Sequence, residues 1–155
     1  MQSKLNKYLL EKKENYKKVS LQDFNSNNDF LDNVALLLNS KADVIELETK
    51  GIDASSIIKA GKRIRELTAV FGALFIISDR IDIAKILDAD GVILDKTGMS
   101  IADAQKLIEG GMLLGYFVSP NEDIKQLKDN DLDFIVVQEK TNTIEIKTFI
   151  CRDLD

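Results

Sequence analysis

The chain has 155 residues, of which 45% are hydrophobic and 30% charged, as in an ordinary soluble globular domain. Its net charge of −5 argues against a nucleic-acid or anionic-membrane surface. Histidine is absent and Cys151 is the one cysteine, which excludes histidine-activated nucleophiles and an intramolecular disulfide. The amino terminus has no long apolar run, so we predict a single cytoplasmic domain, residues 1–155, with no membrane segment.

The amino-terminal part of the chain predicts a helix followed by a weak strand. Residues 1–18 fit an amphipathic helix that packs over one end of a sheet, and a partner-binding helix is the alternative. The weak strand is expected at Lys18–Leu21, and residues 25–28 form a polar loop. Asp29 then precedes a helical apolar pattern that starts at Phe30.

Five further strands are predicted from short apolar runs without alternation, which is typical of strands buried on both faces of a parallel sheet. They are Val44–Leu47, Leu74–Ile77, Gly91–Leu94, Met112–Phe117 and Phe134–Val137.

Helical patterns separate these strands. Asp53 is the expected N-cap of a long helix, and Arg80–Leu87 is a short one. Ser100 and Ser119 each begin a Ser-x-x-acid capping box, which predicts two more helix starts. The apolar positions of the long helix are Ile57, Ala60, Gly61, Ile64, Leu67 and Phe71.

The alternation predicts an α/β fold with about six βα units over residues 19–137, at the spacing of a (β/α)-barrel. Residues 138–155 contain an alternating pattern, Thr143–Ile150, that predicts one more strand with one exposed face. Because this segment is too short for two further βα units, we expect an incomplete TIM-barrel-like parallel sheet.

Polar residues follow three of the predicted strands, where parallel α/β proteins keep their chemistry. These strand ends outline a candidate active-site rim. The residues are Glu46, Glu48 and Lys50 at the first, Ser78, Asp79 and Arg80 at the second, and Asp95 and Lys96 at the third.

Four segments resemble the signature segments of the thiamine phosphate synthase and thiazole tautomerase family, which has a TIM-barrel fold. Asp43–Lys50 is similar to the family's apolar strand ending in Gln-x-Arg-Glu-Lys, and Phe75–Ala84 to its Ile-x-Asn-Asp-Arg-x-Asp-x-Ala. Ala89–Gly98 resembles its Ala-Asp-Gly-Val-His-Leu-Gly-Gln-x-Asp, and Leu114–Ser119 its Ile-Gly-x-Ser-x-His.

The resemblance implies a transferase of thiamine biosynthesis that joins a pyrimidine methyl diphosphate to a thiazole phosphate, with loss of pyrophosphate and help from Mg²⁺. It implies that Asp79 is a metal ligand and that the other strand-end residues contact a small phosphorylated substrate. The substrate-binding residues would be Glu46, Glu48, Lys50, Ser78, Arg80, Asp95 and Lys96.

Several positions depart from the family pattern. The family's Gln and Arg are Glu46 and Glu48 here, and its second metal aspartate aligns with Gly98. Because a departing diphosphate must be neutralised by cations, these changes predict a catalytically degenerate domain with at most residual binding of a phosphate ligand.

Two alternatives remain: an active synthase that takes missing phosphate contacts from a second subunit, and a non-enzymatic scaffold or regulatory partner. An unclosed sheet has open edges, which predicts a homo-oligomer formed through edge strands. The two glutamates are either an ion-paired structural feature held by Lys50, Arg80 or Lys96, or part of an acidic cluster with Asp79 and Asp95. Such a cluster would hold a divalent cation or a basic ligand.

Overall fold

A computed structural model describes residues 15–108, 110–122, 132–138 and 146–149. The chain divides into two compact units, of which the first comprises residues 15–92 and the second contains the described residues from 93 onward. The strands are β1 (Tyr16–Val19), β2 (Val44–Leu47), β3 (Leu74–Ser78), β4 (Gly91–Leu94), β5 (Leu113–Val118), β6 (Phe134–Gln138) and β7 (Ile146–Phe149). The helices are α1 (Asn27–Asn39), α2 (Ala54–Phe71), α3 (Ile81–Ile86) and α4 (Ile101–Leu107), with a short 3-10 helix at Leu21–Asp23.

In the first unit, β1, β2 and β3 are parallel and hydrogen-bonded in that order, with Tyr16 opposite Val44 and Val44 opposite Leu74. Every residue of β2 and β3 is buried. This confirms the prediction of strands covered on both faces, because a parallel sheet has helices packed against it.

The start of the chain differs from the prediction. Within the expected helix over residues 1–18, residues 16–18 belong to β1, and residues 1–14 lie outside the described residues. The strand also starts earlier than the predicted Lys18–Leu21. Its end is set by Ser20, whose Oγ accepts the Gln22 N–H at 3.2 Å and begins the 3-10 helix.

The first unit confirms one predicted helix start and corrects two others. Asp53 caps α2 by accepting the Ser56 N–H at 2.9 Å. Helix α1 begins at Asn27, two residues inside the predicted loop, because Ser26 Oγ accepts the Asp29 N–H at 3.1 Å and satisfies a first-turn donor. The short helix predicted over Arg80–Leu87 is α3, which starts after Arg80 without a side-chain cap, and Asp79 before it has a left-handed φ of 57°.

Helix α2 packs on α3 through a glycine. A methyl group at Gly61 would collide with the side chain of Leu87, so glycine permits the close approach of the two helices. The buried face ends at Thr68 rather than at the predicted Phe71, which is 42% exposed. Thr68 tolerates burial because its hydroxyl donates to the Ile64 carbonyl at 2.9 Å.

In the second unit, β5 and β6 are parallel, with Gly115 opposite Phe134, and β7 runs antiparallel to β6. The ring of Phe134 lies where a side chain at position 115 would be, which is why glycine occurs there. Strand β7 confirms a strand within Thr143–Ile150, and its exposed face stays a prediction.

The two predicted capping boxes of the second unit are seen in part. Ser100 Oγ accepts the Asp103 N–H at 3.1 Å and begins α4. The Ser119 N–H donates to Glu122 Oε1 at 2.9 Å, but the helix expected beyond it lies outside the described residues. No helix in the described part of the chain is both long and apolar enough to span a membrane.

Candidate functional site

The carboxyl ends of β1, β2 and β3 bring acidic residues next to a lysine that the sequence reasoning missed. The parallel register places Lys18 of β1 opposite Glu46 of β2. Lys18 Nζ lies 2.8 Å from Glu48 Oε2 and 3.9 Å from Glu46 Oε2. Lys18 therefore forms ion pairs with both carboxylates.

Glu46 is buried inside β2, where an unpaired carboxylate would cost several kcal/mol. The hydroxyl of Tyr16, also buried, donates to Glu46 Oε1 at 2.6 Å. Burial raises the pKa of Tyr16 well above its ordinary value, and the negative charge of Glu46 raises it further. Tyr16 consequently remains a hydrogen-bond donor at any physiological pH.

Glu48 is half-buried and surrounded by donors. Its Oε1 accepts the backbone N–H groups of Thr49 and Lys50, each at 3.0 Å, and the Ser78 hydroxyl at 2.9 Å. Burial alone would raise the pKa of Glu48, but the bonds from Lys18 and from the Lys50 N–H lower it below its ordinary value. The Glu48 side chain is therefore ionised at neutral pH and is bound by donors of the protein itself.

Thr49 and Ser78 join the end of β2 to the end of β3. Thr49 Oγ1 donates to the Ser78 carbonyl at 2.7 Å, and the Thr49 N–H also points at Ser78 Oγ, 2.9 Å away. The Ser78 hydroxyl accepts from this N–H and donates to Glu48. We call the four donors to Glu48 the Glu48 cradle: Lys18 Nζ, Ser78 Oγ and the N–H groups of Thr49 and Lys50.

Arg80, a predicted phosphate contact, binds Asp82 in the first turn of its own helix. Its Nε and Nη2 donate to the two carboxylate oxygens at 3.0 and 2.8 Å. This bidentate bond raises the pKa of Arg80 and lowers that of Asp82. A phosphate would have to compete with Asp82 for the guanidinium.

Asp95 and Lys96 belong to the second unit, whereas the other predicted site residues belong to the first. Asp95 Oδ1 accepts the Thr97 N–H at 2.9 Å and the Thr97 hydroxyl at 2.6 Å, which makes a local turn. The side chain of Lys96 is exposed. The arrangement of Asp95 is that of a turn residue.

The second unit has its own tyrosine and glutamate pair. Tyr116 OH donates to Glu122 Oε2 at 2.7 Å, while the other oxygen of Glu122 accepts the Ser119 N–H. Burial and the bond to Glu122 raise the pKa of Tyr116. The tyrosine hydroxyl is again a permanent donor.

The ion-pair interpretation of Glu46 and Glu48 fits these contacts, although the lysine that pairs with them is on β1. Placing β1 at Tyr16–Val19 would have revealed Lys18, because parallel pairing then sets it beside Glu46. The predicted Arg80 is held by Asp82 instead.

The described residues offer few protein ligands for a magnesium ion. Among them, no group of three or more acidic or cysteine side chains is placed to hold a metal ion. Asp79 offers one carboxylate, and Gly98, where the resemblance places the second metal aspartate, has no side chain.

The chain matches the family model of thiamine monophosphate synthase, TMP-TENI, over residues 19–144. It is 33% identical over 107 residues to the thiamine-phosphate synthase of Nostoc punctiforme, which covers 69% of this chain and 30% of that protein. With the Desulfitobacterium hafniense thiamine-phosphate synthase it shares 32% identity over 107 residues, 69% of this chain and 52% of the relative. The chain thus spans about half or less of the length of these relatives.

Among solved structures, the thiamine phosphate pyrophosphorylase from Pyrococcus furiosus has a similar fold, with a TM-score of 0.73 and 24% sequence identity. The match covers 85% of this chain and 63% of that one. It confirms the predicted α/β, TIM-barrel-like fold. By the extent of the family match, this chain belongs to the thiamine monophosphate synthase family.

Proposed function

We propose that this chain is a thiamine phosphate synthase-like domain that does not catalyse the family's transfer reaction and retains only weak binding of a phosphorylated ligand. The observation that supports this most is the position of Glu48. Where the family pattern has an arginine, this chain has a carboxylate, and Lys18 lies 2.8 Å from it. The nearest cation is thereby neutralised by the protein itself.

The chemistry expected of the family explains why this matters. When a diphosphate leaves, negative charge builds on its oxygens, and fixed positive groups must stabilise that charge. Glu46 and Glu48 instead place two carboxylates at the strand ends, with Lys18 between them. A transition state of growing negative charge is disfavoured there.

The predicted phosphate contact Arg80 does not restore the balance. Arg80 is bound by both oxygens of Asp82. A magnesium ion would neutralise a diphosphate, yet Asp79 is the one metal aspartate of the family pattern that this chain keeps. Lys18 and Arg80 are therefore both engaged by carboxylates of the protein itself.

The test is an assay of pyrophosphate release. Purified protein is incubated with Mg²⁺, pyrimidine methyl diphosphate and thiazole phosphate, and the thiamine-phosphate synthase of Desulfitobacterium hafniense is the positive control. We expect no release above the rate without protein. Release at a rate comparable to the control would overturn the proposal and favour an active enzyme, and the oligomeric state would then show whether subunits associate.

Calorimetry separates weak binding from none. Titration with thiazole phosphate and with thiamine phosphate is expected to give saturable heat at millimolar concentrations. No heat with either ligand would overturn the binding part of the proposal and favour a non-enzymatic scaffold.

A further inference from the structure

We propose that the outer faces of α1 and α2 form a self-complementary surface that binds a second copy of this chain. The two helices pack against each other in the first unit. They run in the same direction, because β1, β2 and β3 are parallel and each helix returns the chain to the start of the next strand. Their outer faces therefore lie side by side, with both carboxyl ends at the same end of the sheet.

The outer face of α1 is acidic and carries a large aliphatic side chain near its carboxyl end. Asp29, Asp32 and Leu36 are exposed, and their spacing of three and four residues places them on one face of the helix. The exposed fraction of Leu36 is 63%, although the opposite face of α1 buries its apolar residues. This face thus combines a net charge of −2 with one apolar side chain.

The outer face of α2 has the opposite charge and a similar aliphatic end. Its exposed residues at helical spacing are Lys59, Lys62, Arg63, Glu66 and Val70. Arg63 Nε lies 3.9 Å from Glu66 Oε2, so the face keeps a net charge of +2, and Val70 is 82% exposed. Within the described residues, no ion pair joins this basic face to the acidic face of α1. The two charges are therefore available to a partner of the same composition.

The two faces match in order when residues are counted back from the last residue of each helix. The paired positions lie three and one, seven and eight, and ten and nine residues before Asn39 and Phe71. Each pair differs by at most two residues, which is about 3 Å along a helix. The pairs are Leu36 with Val70, Asp32 with Arg63, and Asp29 with Lys62.

A twofold axis that runs between α1 and α2, parallel to the helices, brings these pairs together. It sets α1 of each copy on α2 of the other and leaves the helix directions parallel. Such a dimer is isologous, because each copy makes the contact that it receives. The acidic face then meets the basic face twice, and Leu36 of each copy contacts Val70 of the other.

The size of this surface predicts a weak dimer. The 13 residues of α1 extend over about 20 Å, and two packed helices are together about 20 Å wide. Such a face is smaller than the roughly 800 Å² that each partner buries in a stable complex. We expect a dissociation constant of about 10–100 μM that rises with salt, so dilute protein is monomeric. The surface differs from the sheet edges, and the inference does not depend on whether the chain is catalytic.

The test is a charge swap followed by sedimentation velocity. The native chain and the single variants Asp32→Arg and Arg63→Asp are measured at concentrations up to about 500 μM. We expect the native chain to dimerise, and each variant alone to dimerise at least about ten-fold more weakly, because like charges then face each other at two places. An equimolar mixture of the two variants is expected to recover the dimer, since each supplies the charge that the other lacks.

The matched control is Asp103→Arg, which makes the same change of charge at an exposed position of α4 and should dimerise as the native chain does. Thermal unfolding verifies that each variant is folded. A native chain that stays monomeric over the whole concentration range would overturn the proposal. Two further results would overturn it: variants that each dimerise as tightly as the native chain, which would indicate the sheet edges, and a mixture that associates no more than its components.

Discussion

The two units use the same pairs of groups in different surroundings. In each, an aspartate before a strand binds the preceding strand: Asp90 Oδ2 accepts the Phe75 N–H at 2.8 Å, and Asp133 Oδ2 accepts the Leu114 N–H at 2.9 Å. The N–H groups of both aspartates return the bond to the carbonyls of the same two residues at 2.8 Å.

The units differ in the groups described at these carboxylates. Arg65 of α2 donates to Asp90 Oδ2 at 3.0 Å and lies over the ring of Phe75, and Lys18 bridges Glu46 and Glu48. In the second unit, the bonds described for Glu122 come from a tyrosine hydroxyl and a backbone N–H. In the first unit, Lys18 and Arg65 hold carboxylates of the protein itself, so the number of basic residues alone says little about phosphate binding.

The largest loss in the free energy of unfolding is expected when Asp90, the first of the two aspartates, is replaced by alanine. Asp90→Ala removes the acceptor of the Phe75 N–H and the partner of Arg65, so we expect a loss of about 2–3 kcal/mol in the free energy of unfolding. Asp133→Ala removes the acceptor of the Leu114 N–H and should cost about 1–2 kcal/mol. Urea denaturation measures both, with the exposed Asp32→Ala as control. A loss below about 1 kcal/mol for Asp90→Ala would contradict the bonds described for Asp90.

The two tyrosines give the next largest difference. Tyr16→Phe leaves the buried Glu46 without its hydroxyl donor, and we expect a cost of about 2 kcal/mol. Tyr116→Phe leaves a half-buried Glu122 that water can reach, so about 1 kcal/mol is expected. The same denaturation experiment measures both. A larger loss for Tyr116→Phe would contradict the view that burial sets the cost.

Lys18→Met should cost about 1 kcal/mol more than Lys17→Met, because Lys18 alone of the two is paired with carboxylates in this part of the fold. Lys17 is the matched control, since both lysines are exposed residues of β1. Thermal unfolding at low and high salt gives the measurement. The difference should shrink at high salt, and one that is absent at every salt concentration would contradict the ion pair.

The smallest effect is a pH dependence. The folded pKa of Glu48 is lowered, so the unfolded chain binds its proton first as the pH falls. Glu48 therefore stabilises the protein above about pH 4.3, the ordinary glutamate pKa, and this contribution is lost as the pH falls through the folded value. Glu48→Gln should flatten the stability curve between about pH 5 and 3. An unchanged slope in that range would show that the carboxylate is not held as described.

Many bounds of strands and helices were predictable because the interactions that set them are local. The bounds of β2 and β4 agree with the predicted strands, since an uninterrupted apolar run needs burial on both faces. Asp53 caps its helix as predicted because a cap depends on residues within one turn. The capping residue of α1 was missed because Asp29 and Ser26 are both good caps and sequence alone does not choose between them.

By itself, the sequence determined the family, the α/β class and the residues at the strand ends, because hydrophobic runs and short motifs carry that information. Only the tertiary structure decided which groups those residues bind. Lys18 meets Glu48 from thirty positions away, and Ser78 reaches the same carboxylate across a strand pair. Both contacts depend on the register of parallel strands, which is set by the packing of the whole sheet and not by any local pattern.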